Sequence, residues 1–410
     1  MPANRDITTS GARRATSRRR LGASLAAVAL GAALGACDTL DKALAVDTPS
    51  RLPAADLLNP GSADLLVASA QRDLECAYGA YVVSSGLVAG ELQDGSQTAA
   101  RWDYDRRSLR PEQTSYASTS CAGAYGFYTP LNIARYTADN ATTRLEEWTD
   151  ADVPGRQQLI ARAANYAGFA LVFIGEAFCS AAIDLGPELT SAQVFEQAEA
   201  RFAKALTAAQ AAGDANLVSL AYLGRAKARL DRGDLPGALS DAQQVAPGFR
   251  YDATYQGGGN SRQFNRVYDF NGLGTSVTVA PAYRNLGDPR VPVSDSGRTS
   301  SDQNTALWVQ HKYNSLDAPI PLARYAEAQL IIAEASGAMA AAELAEERRR
   351  EFFLEGRRLG DIRRLNLAFE PAPGTPYPLG GASSKGGTYQ DLPGKCVPVP
   401  DVERANNPNF

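Results

Sequence analysis

The chain contains one histidine, two methionines, three tryptophans and five cysteines in 410 residues. The single histidine, His311, excludes chemistries that need two imidazoles, and no His-Glu-x-x-His zinc motif exists. A Gly-x-Ser-x-Gly elbow, a Walker loop and a Gly-x-Gly-x-x-Gly turn are also missing. Gly257-Gly258-Gly259 does not lead from a strand into a helix, so it reads as loop. His311 lies in a β-prone stretch and reads as a surface or packing residue. Acidic residues are plentiful, but no pair is marked out for glycoside hydrolysis. No Cys-x-x-Cys occurs, which removes the usual thiolate metal site. Beyond residue 36 no apolar run is long enough to span a bilayer. The longest, Phe169–Ile174, is interrupted by Gly175 and Glu176 and reads as a buried helix. These gaps point away from an enzyme, a metal or a cofactor.

The N-terminus has what the rest lacks. Arg13, Arg14, Arg18, Arg19 and Arg20 precede an apolar run from Leu21 to Leu34, the layout of an export signal. Leu34-Gly35-Ala36-Cys37 resembles a lipobox, the cleavage site of bacterial lipoprotein signal peptidase. That resemblance implies a signal peptide over 1–36 and palmitate-type acyl chains on Cys37. Residues 1–36 hold six arginines and one aspartate. Removing them takes 41 basic and 45 acidic residues to 35 and 44, a net charge of −9 on 374 residues. Such acidity argues against nucleic acid and against a polybasic membrane contact, leaving lipid as the only tie to the membrane. The four remaining cysteines, Cys76, Cys121, Cys179 and Cys396, suggest two disulfides in an exported protein. Three pairings are open; Cys76 with Cys121 is preferred because both flank one long insertion.

Residues 37–62 read as a lipidated tether and 63–410 as one domain. Apolar spacing predicts helices over Ala63–Leu92, Tyr125–Trp148, Arg156–Ile183, a helix N-capped by Ser191, Leu217–Arg232 and Leu235–Val245. Small residues recur where they would cross: Ala163, Ala167, Ala170, Ala221, Gly224, Ala228, Ala238 and Ala242. The phrase 228–239 resembles the turn of a tetratricopeptide repeat, with helix pairs at 157–212 and 215–246. Residues 95–120 read as a long loop, and 247–320 as irregular with strands near Ser276–Val279, Leu307–Gln310 and Lys312-Tyr313. Helix returns over Pro321–Ser336 and Ala340–Leu367, before a tail with eight prolines and six glycines from Pro371 on.

Two late segments carry dense patterned charge: Arg324-Tyr325-Ala326-Glu327…Ala333-Glu334-Ala335, and Glu347-Arg348-Arg349-x-Glu351-Phe352…Glu355-Gly356-x-Arg358…Asp361-x-Arg363-Arg364. Taken alone, they are helix surfaces with pairs such as Arg357–Asp361 and Glu355–Arg358. Together with Val397-Pro-Val-Pro400 and Asn407-Pro408 they closely resemble the C-terminal signature of the SusD/RagB family of nutrient-binding outer-membrane lipoproteins. Only about ten residues, 336–345, separate the two segments, fewer than is usual for the family.

The resemblance implies an all-α, tetratricopeptide-like helical repeat scaffold (SusD-like) with long irregular loops and a few short strands. Its repeat-like helices fall at about 125–246 and 321–367, and its loop-rich ligand face at about 93–120 and 247–320. It implies an outer-membrane lipoprotein facing the cell exterior, which binds a glycan or other nutrient and passes it to a SusC-type TonB-dependent transporter barrel. An envelope scaffold and a secreted hydrolase are the alternatives. In that setting Arg324, Tyr325, Glu327, Glu334, Arg348, Glu351, Glu355, Gly356, Arg358, Asp361 and Arg364 are expected to specify the fold. Sugar rings stack on aromatic faces while guanidinium groups read hydroxyls, so Arg101, Trp102, Tyr104, Tyr283 and Trp308 are the candidate ligand residues.

Overall fold

The computed structural model describes residues 59–113, 115–118, 120–123, 125–379 and 385–410. The signal peptide, Cys37 and all of the tether before Asn59 lie outside the described residues. Eleven helices are labelled here: α1 (Ala63–Val88), α2 (Ala99–Arg106), α3 (Tyr128–Glu147), α4 (Arg156–Ala177), α5 (Ser191–Ala212), α6 (Ala215–Arg232), α7 (Leu235–Ala242), α8 (Tyr325–Ala335), α9 (Ala341–Glu351), α10 (Arg358–Arg364) and α11 (Asp401–Asn406). The strands are β1 (Leu92–Asp94), β2 (Ser180–Ala181), β3 (Leu189–Thr190), β4 (Arg250–Ala253), β5 (Val277–Val279), β6 (Val293–Thr299), β7 (Ala306–Gln310) and β8 (Ile320–Arg324). They form four antiparallel two-stranded ribbons: β1–β5, β2–β3, β4–β8 and β6–β7. The fold is therefore helical with short strands.

Helix α4 is the hub. It is apolar almost all round and packs against α1, α3, α5 and α6, which is how a run of that composition is satisfied without a membrane. The series continues from α5 to α6, α7 and α8. Gly213 and Gly233, at φ 68° and 89°, end α5 and α6 in the left-handed conformation, and Asp214 and Asp234 cap the helices that follow. Helix α5 begins with Thr190 as its cap, in a reciprocal capping box with Gln193. Ser191 therefore does not cap α5. Its hydroxyl donates to the Phe178 carbonyl at 3.1 Å.

Close packing in the repeat-like block depends on Phe202. A carbon added at Gly224 would stand 2.2 Å from its ring, and one at Gly168 2.7 Å. The ring fills the notch left by two missing side chains on α4 and α6.

Five further sequence expectations change. Residues 95–120 contain α2 and a short turn at Ser115–Ser118. Helix α4 stops at Ala177, because Cys179 is bonded to Cys396 and Asp184 and Leu185 turn left-handed. Helix α8 starts at Tyr325, because Ile320–Arg324 pairs with β4; Lys312-Tyr313 lies outside any strand. The helix expected over 340–367 is two helices, broken where Leu354 and Gly356 adopt φ 54° and 69°. The disulfides are Cys76–Cys121 and Cys179–Cys396.

The Gly224 contact gives a prediction of unusual sign. Alanine for glycine inside a helix ordinarily stabilises by about 0.5–1 kcal/mol. Here Gly224→Ala is expected to cost about 1–3 kcal/mol by overpacking, read as a lower urea midpoint. Adding Phe202→Leu to the same chain should recover part of the loss.

Candidate ligand-binding site

The break between α9 and α10 turns the patterned charges inward. Arg357, fully buried, donates to Glu327 through Nε at 2.8 Å and Nη2 at 3.0 Å. It also reaches the carbonyls of Leu322 and Glu355 and the Tyr78 hydroxyl. Lys227 lies 2.5 Å from Glu176 and 3.5 Å from Glu327. Burial alone would raise the Glu327 carboxyl; Arg357 and Lys227 outweigh it and hold the group at about 2. Burial raises Glu176, which Lys227 only partly offsets. A second knot joins Arg348 to Asp361 at 2.8 Å, and Arg364 to Asp361, Asp231 and Glu334. A third joins Arg324 to Glu351 and Glu355, with Lys312 2.7 Å from Glu355 and Arg290 2.9 Å from Glu351. This third knot lines a cleft of about 480 Å³. The expected pairs Arg357–Asp361 and Glu355–Arg358 are not formed. Asp361 is taken by Arg348 and Arg364 and Glu355 by Arg324 and Lys312, and the charge of Arg358 acts instead on buried Glu91. Tyr325 lies half-buried at the start of α8, its backbone N–H donating to Phe249.

The loop face is built around a π-helical turn, Tyr268–Leu273. Asn271 clasps two ribbons: its Nδ2 donates to the carbonyls of Val277 and Trp308, and its Oδ1 accepts from Gln310. Trp308 in turn donates its backbone N–H to the Thr278 hydroxyl at 2.7 Å. The Trp308 ring is half-buried, with the Arg284 guanidinium 5.1 Å from its centroid and Arg284 Nε bonded to the Val279 carbonyl. Burial lowers Arg284 to about 10. On the other side of the same turn, Arg101 lies over the rings of Tyr125 and Phe270, at 4.8 and 5.5 Å. Trp102, next to it on α2, is half-buried and donates its Nε1 to the Ser96 carbonyl. Lys385 stands 5.8 Å from its ring centre and pairs with Asp302 at 2.9 Å.

Arg101, Trp102 and Trp308 thus offer partial faces to solvent around one turn, with Leu273 60 % exposed at its end. Tyr104 and Tyr283 do not; both are only 2 % exposed. Tyr104 packs edge-on against Tyr125, and Tyr283 stacks on Phe353 at 5.2 Å with Arg349 over its other side. Tyr104 is flanked by Asp103 and Asp105 and Tyr283 by Ala282 and Arg284, polar settings like that of Trp102, so pattern alone could not tell lining from core. Sequence reading missed Arg284 and Lys385, which are far from the tryptophans in the chain, and Asn271, whose role is visible only in the backbone groups it joins. His311 is exposed, its Nε2 2.7 Å from the Ser294 hydroxyl. Among the described residues no carboxylate is bonded to that ring, so the pair lacks the orienting acid of a triad. The site offers stacking faces and cationic donors.

Beneath this face lie two buried acids. Asp105 accepts from the Asp94 backbone at 2.8 Å, and burial pushes it up to about 8. Glu91 accepts from Leu354 at 2.9 Å, has one oxygen without a partner, and is pushed by burial up to about 7.

No protein-family model matches the chain, and no curated protein matches it in sequence. Solved structures do match. A SusD homolog from Bacteroides thetaiotaomicron superposes with a TM-score of 0.64 at 13% identity, over 88% of this chain and 98% of that one. A SusD-like carbohydrate binding protein from Bacteroides vulgatus gives 0.61 at 16% identity, over 86% and 97%. Surface glycan-binding protein A from Bacteroides thetaiotaomicron, in complex with laminarihexaose, gives 0.61 at 13% identity, over 85% and 98%.

The Glu91 carboxyl sets a pH dependence. The folded protein keeps this proton at pH values where the unfolded chain has lost it, so its contribution to stability falls as pH rises from the ordinary 4.5 toward 7. Glu91→Gln preserves the acceptor for Leu354 and cannot ionise. Urea titrations at pH 5 and pH 8 should find the two proteins similar at the lower pH. At the higher pH the variant should be more stable by about 1–3 kcal/mol.

Proposed function

We propose that this chain, which has the SusD-like fold, is a non-catalytic glycan receptor anchored by lipid on Cys37 in the outer membrane. It faces the exterior and hands its ligand to a SusC-type TonB-dependent barrel. The observation that carries the reading is the likeness over nearly the full length of surface glycan-binding proteins, one of them holding laminarihexaose. Two partly exposed tryptophans stand on the face where the loops gather, each beside a cation. Stacked sugar rings present C–H bonds to an indole and hydroxyls to a guanidinium, and the Trp308–Arg284 pair supplies both.

Isothermal titration with neutral oligosaccharides, headed by laminarihexaose, tests the ligand. Trp308→Ala and Trp102→Ala should each weaken binding by about tenfold, a loss of about 1.4 kcal/mol. Neither should shift the melting temperature much. Tyr283→Phe removes a buried hydroxyl that has no partner and should leave affinity unchanged. Wild-type affinity in both tryptophan variants would end the proposal for this face. Cell fractionation tests the anchor: Cys37→Ser should move the protein out of the membrane fraction, and retention there would refute lipid attachment at this residue.

A further inference from the structure

Two groups of opposite charge neighbour the Trp308 indole. Arg284 is one, its guanidinium 5.1 Å from the ring centre. Asp295 is the other, the direct partner of Trp308 across the β6–β7 ribbon. Residues paired in this way point to the same face of an antiparallel ribbon, with Cβ atoms about 4.5–5.5 Å apart. The carboxylate and the indole therefore emerge side by side. Both charged groups are fixed by backbone. Arg284 Nε donates to the Val279 carbonyl at 2.8 Å, and Asp295 Oδ1 accepts from the Gly297 N–H at 2.9 Å. Gly297 takes φ 65° and the register slips between Asp295 and Thr299, so a bulge begins where the acid stands. Bulges re-aim side chains, and they gather beside functional sites. The Ser296 hydroxyl donates to the Leu307 carbonyl at 2.7 Å and pins this bulge to the strand that carries the indole. That strand is itself held by Thr278 and Asn271. Backbone positions here are set before any ligand arrives, which spares the cost of ordering them.

The two charges do not close on each other. Burial lowers Arg284 and the Asp295 charge opposes this, yet among the described residues neither group makes an ion pair. Elsewhere on the same face opposite charges have closed into direct pairs, as in Arg266–Asp269 and Lys385–Asp302. Here Arg284 is half-buried and Asp295 exposed. The Nη atoms of the arginine and Oδ2 of the acid make no bond among the described residues. The indole thus has unused donors and an unused acceptor beside it. A sugar hydroxyl can serve both, because it accepts from a guanidinium and donates to a carboxylate. A ligand carboxylate would satisfy the arginine and be repelled by the acid. A ligand ammonium would meet the reverse. Only a neutral hydroxyl-bearing ring satisfies both groups without repulsion.

We propose that Asp295 is a specificity-determining residue of the Trp308 subsite, and that together with Arg284 it selects neutral sugars and rejects acidic ones. This rests on the glycan-receptor reading and narrows its ligand class to neutral glycans. The C–H face of one ring lies on the indole, while its hydroxyls accept from Arg284 and donate to Asp295.

The test titrates the full mature chain, by calorimetry, with laminarihexaose, cellohexaose, mannohexaose and xylohexaose, and with hexamers of glucuronate and galacturonate. At least one neutral hexamer should bind at least tenfold more tightly than both acidic ones. Raising NaCl from about 20 to about 500 mM should change that affinity less than twofold. The acidic chain as a whole also repels uronates, so the deciding variant is Asp295→Asn. Its amide oxygen keeps the bond from Gly297, and its amide nitrogen cannot accept from a hydroxyl. The best neutral hexamer should bind this variant at least fivefold more weakly, while affinity for the acidic hexamers holds or rises. Because position 295 is exposed, the melting temperature should not move. Arg284→Met should weaken the neutral hexamer at least tenfold. Three results overturn the proposal: an acidic hexamer bound as tightly as the best neutral one, or wild-type affinity for the neutral hexamer in Asp295→Asn, or in Arg284→Met. Neutral binding lost in Trp308→Ala but unchanged in Asp295→Asn would leave the receptor reading standing and remove only this selection. No neutral hexamer bound by the wild type at about 1 mM would remove both.

Discussion

The guanidinium of Arg357 is the point on which the rest of the structure depends. It binds both oxygens of Glu327 on α8, two carbonyls from β8 and the turn before α10, and the Tyr78 hydroxyl on α1. These groups come from opposite ends of the chain. An arginine in that position cannot lose its charge and cannot find water, so the surrounding elements must arrive in one arrangement. The broken helix follows from this need. Leu354 and Gly356 take left-handed backbone so that Glu355 and Arg357 point to different acids and bases, which a continuous helix could not do.

The charge knots and the loop face are held in different ways. The knots lie among α4, α6, α8, α9 and α10, where buried carboxylates and cations pair directly. The loop face carries ion pairs too, among them Lys385–Asp302 and Arg266–Asp269. It is held by single amides and hydroxyls, such as Asn271 and Thr278, that stand in for absent strands. Ribbons of two strands have little stability by themselves. Their positions are set by the helices they touch, and this frees the loop side chains to differ without endangering the core.

Much of the helical half was legible in the sequence because its period, its small residues and its Gly-Asp breaks are local signals. Boundaries failed where a distant residue intervened. Cys396 ended α4 early, β4 took the residues before α8, and long-range acids took Arg324 and Arg357 away from their helical neighbours. The candidate ligand residues were harder. Trp102 and Trp308 keep partial exposure, whereas Tyr104 and Tyr283 are buried. Nothing in the surrounding residues distinguishes these cases, since exposure there is decided by Phe353, Tyr125 and Arg349 from elsewhere.

The Cys179–Cys396 bridge closes a span of 217 residues, from the end of α4 to just before the final helix. Every peptide bond from α5 through α10 lies inside that covalent ring. A single cut by a protease in any loop of this region therefore opens the ring without releasing a fragment. The nicked chain stays one molecule, with α4 still joined to the C-terminal stretch. The bond converts loop cleavage from loss of half the fold into a local break.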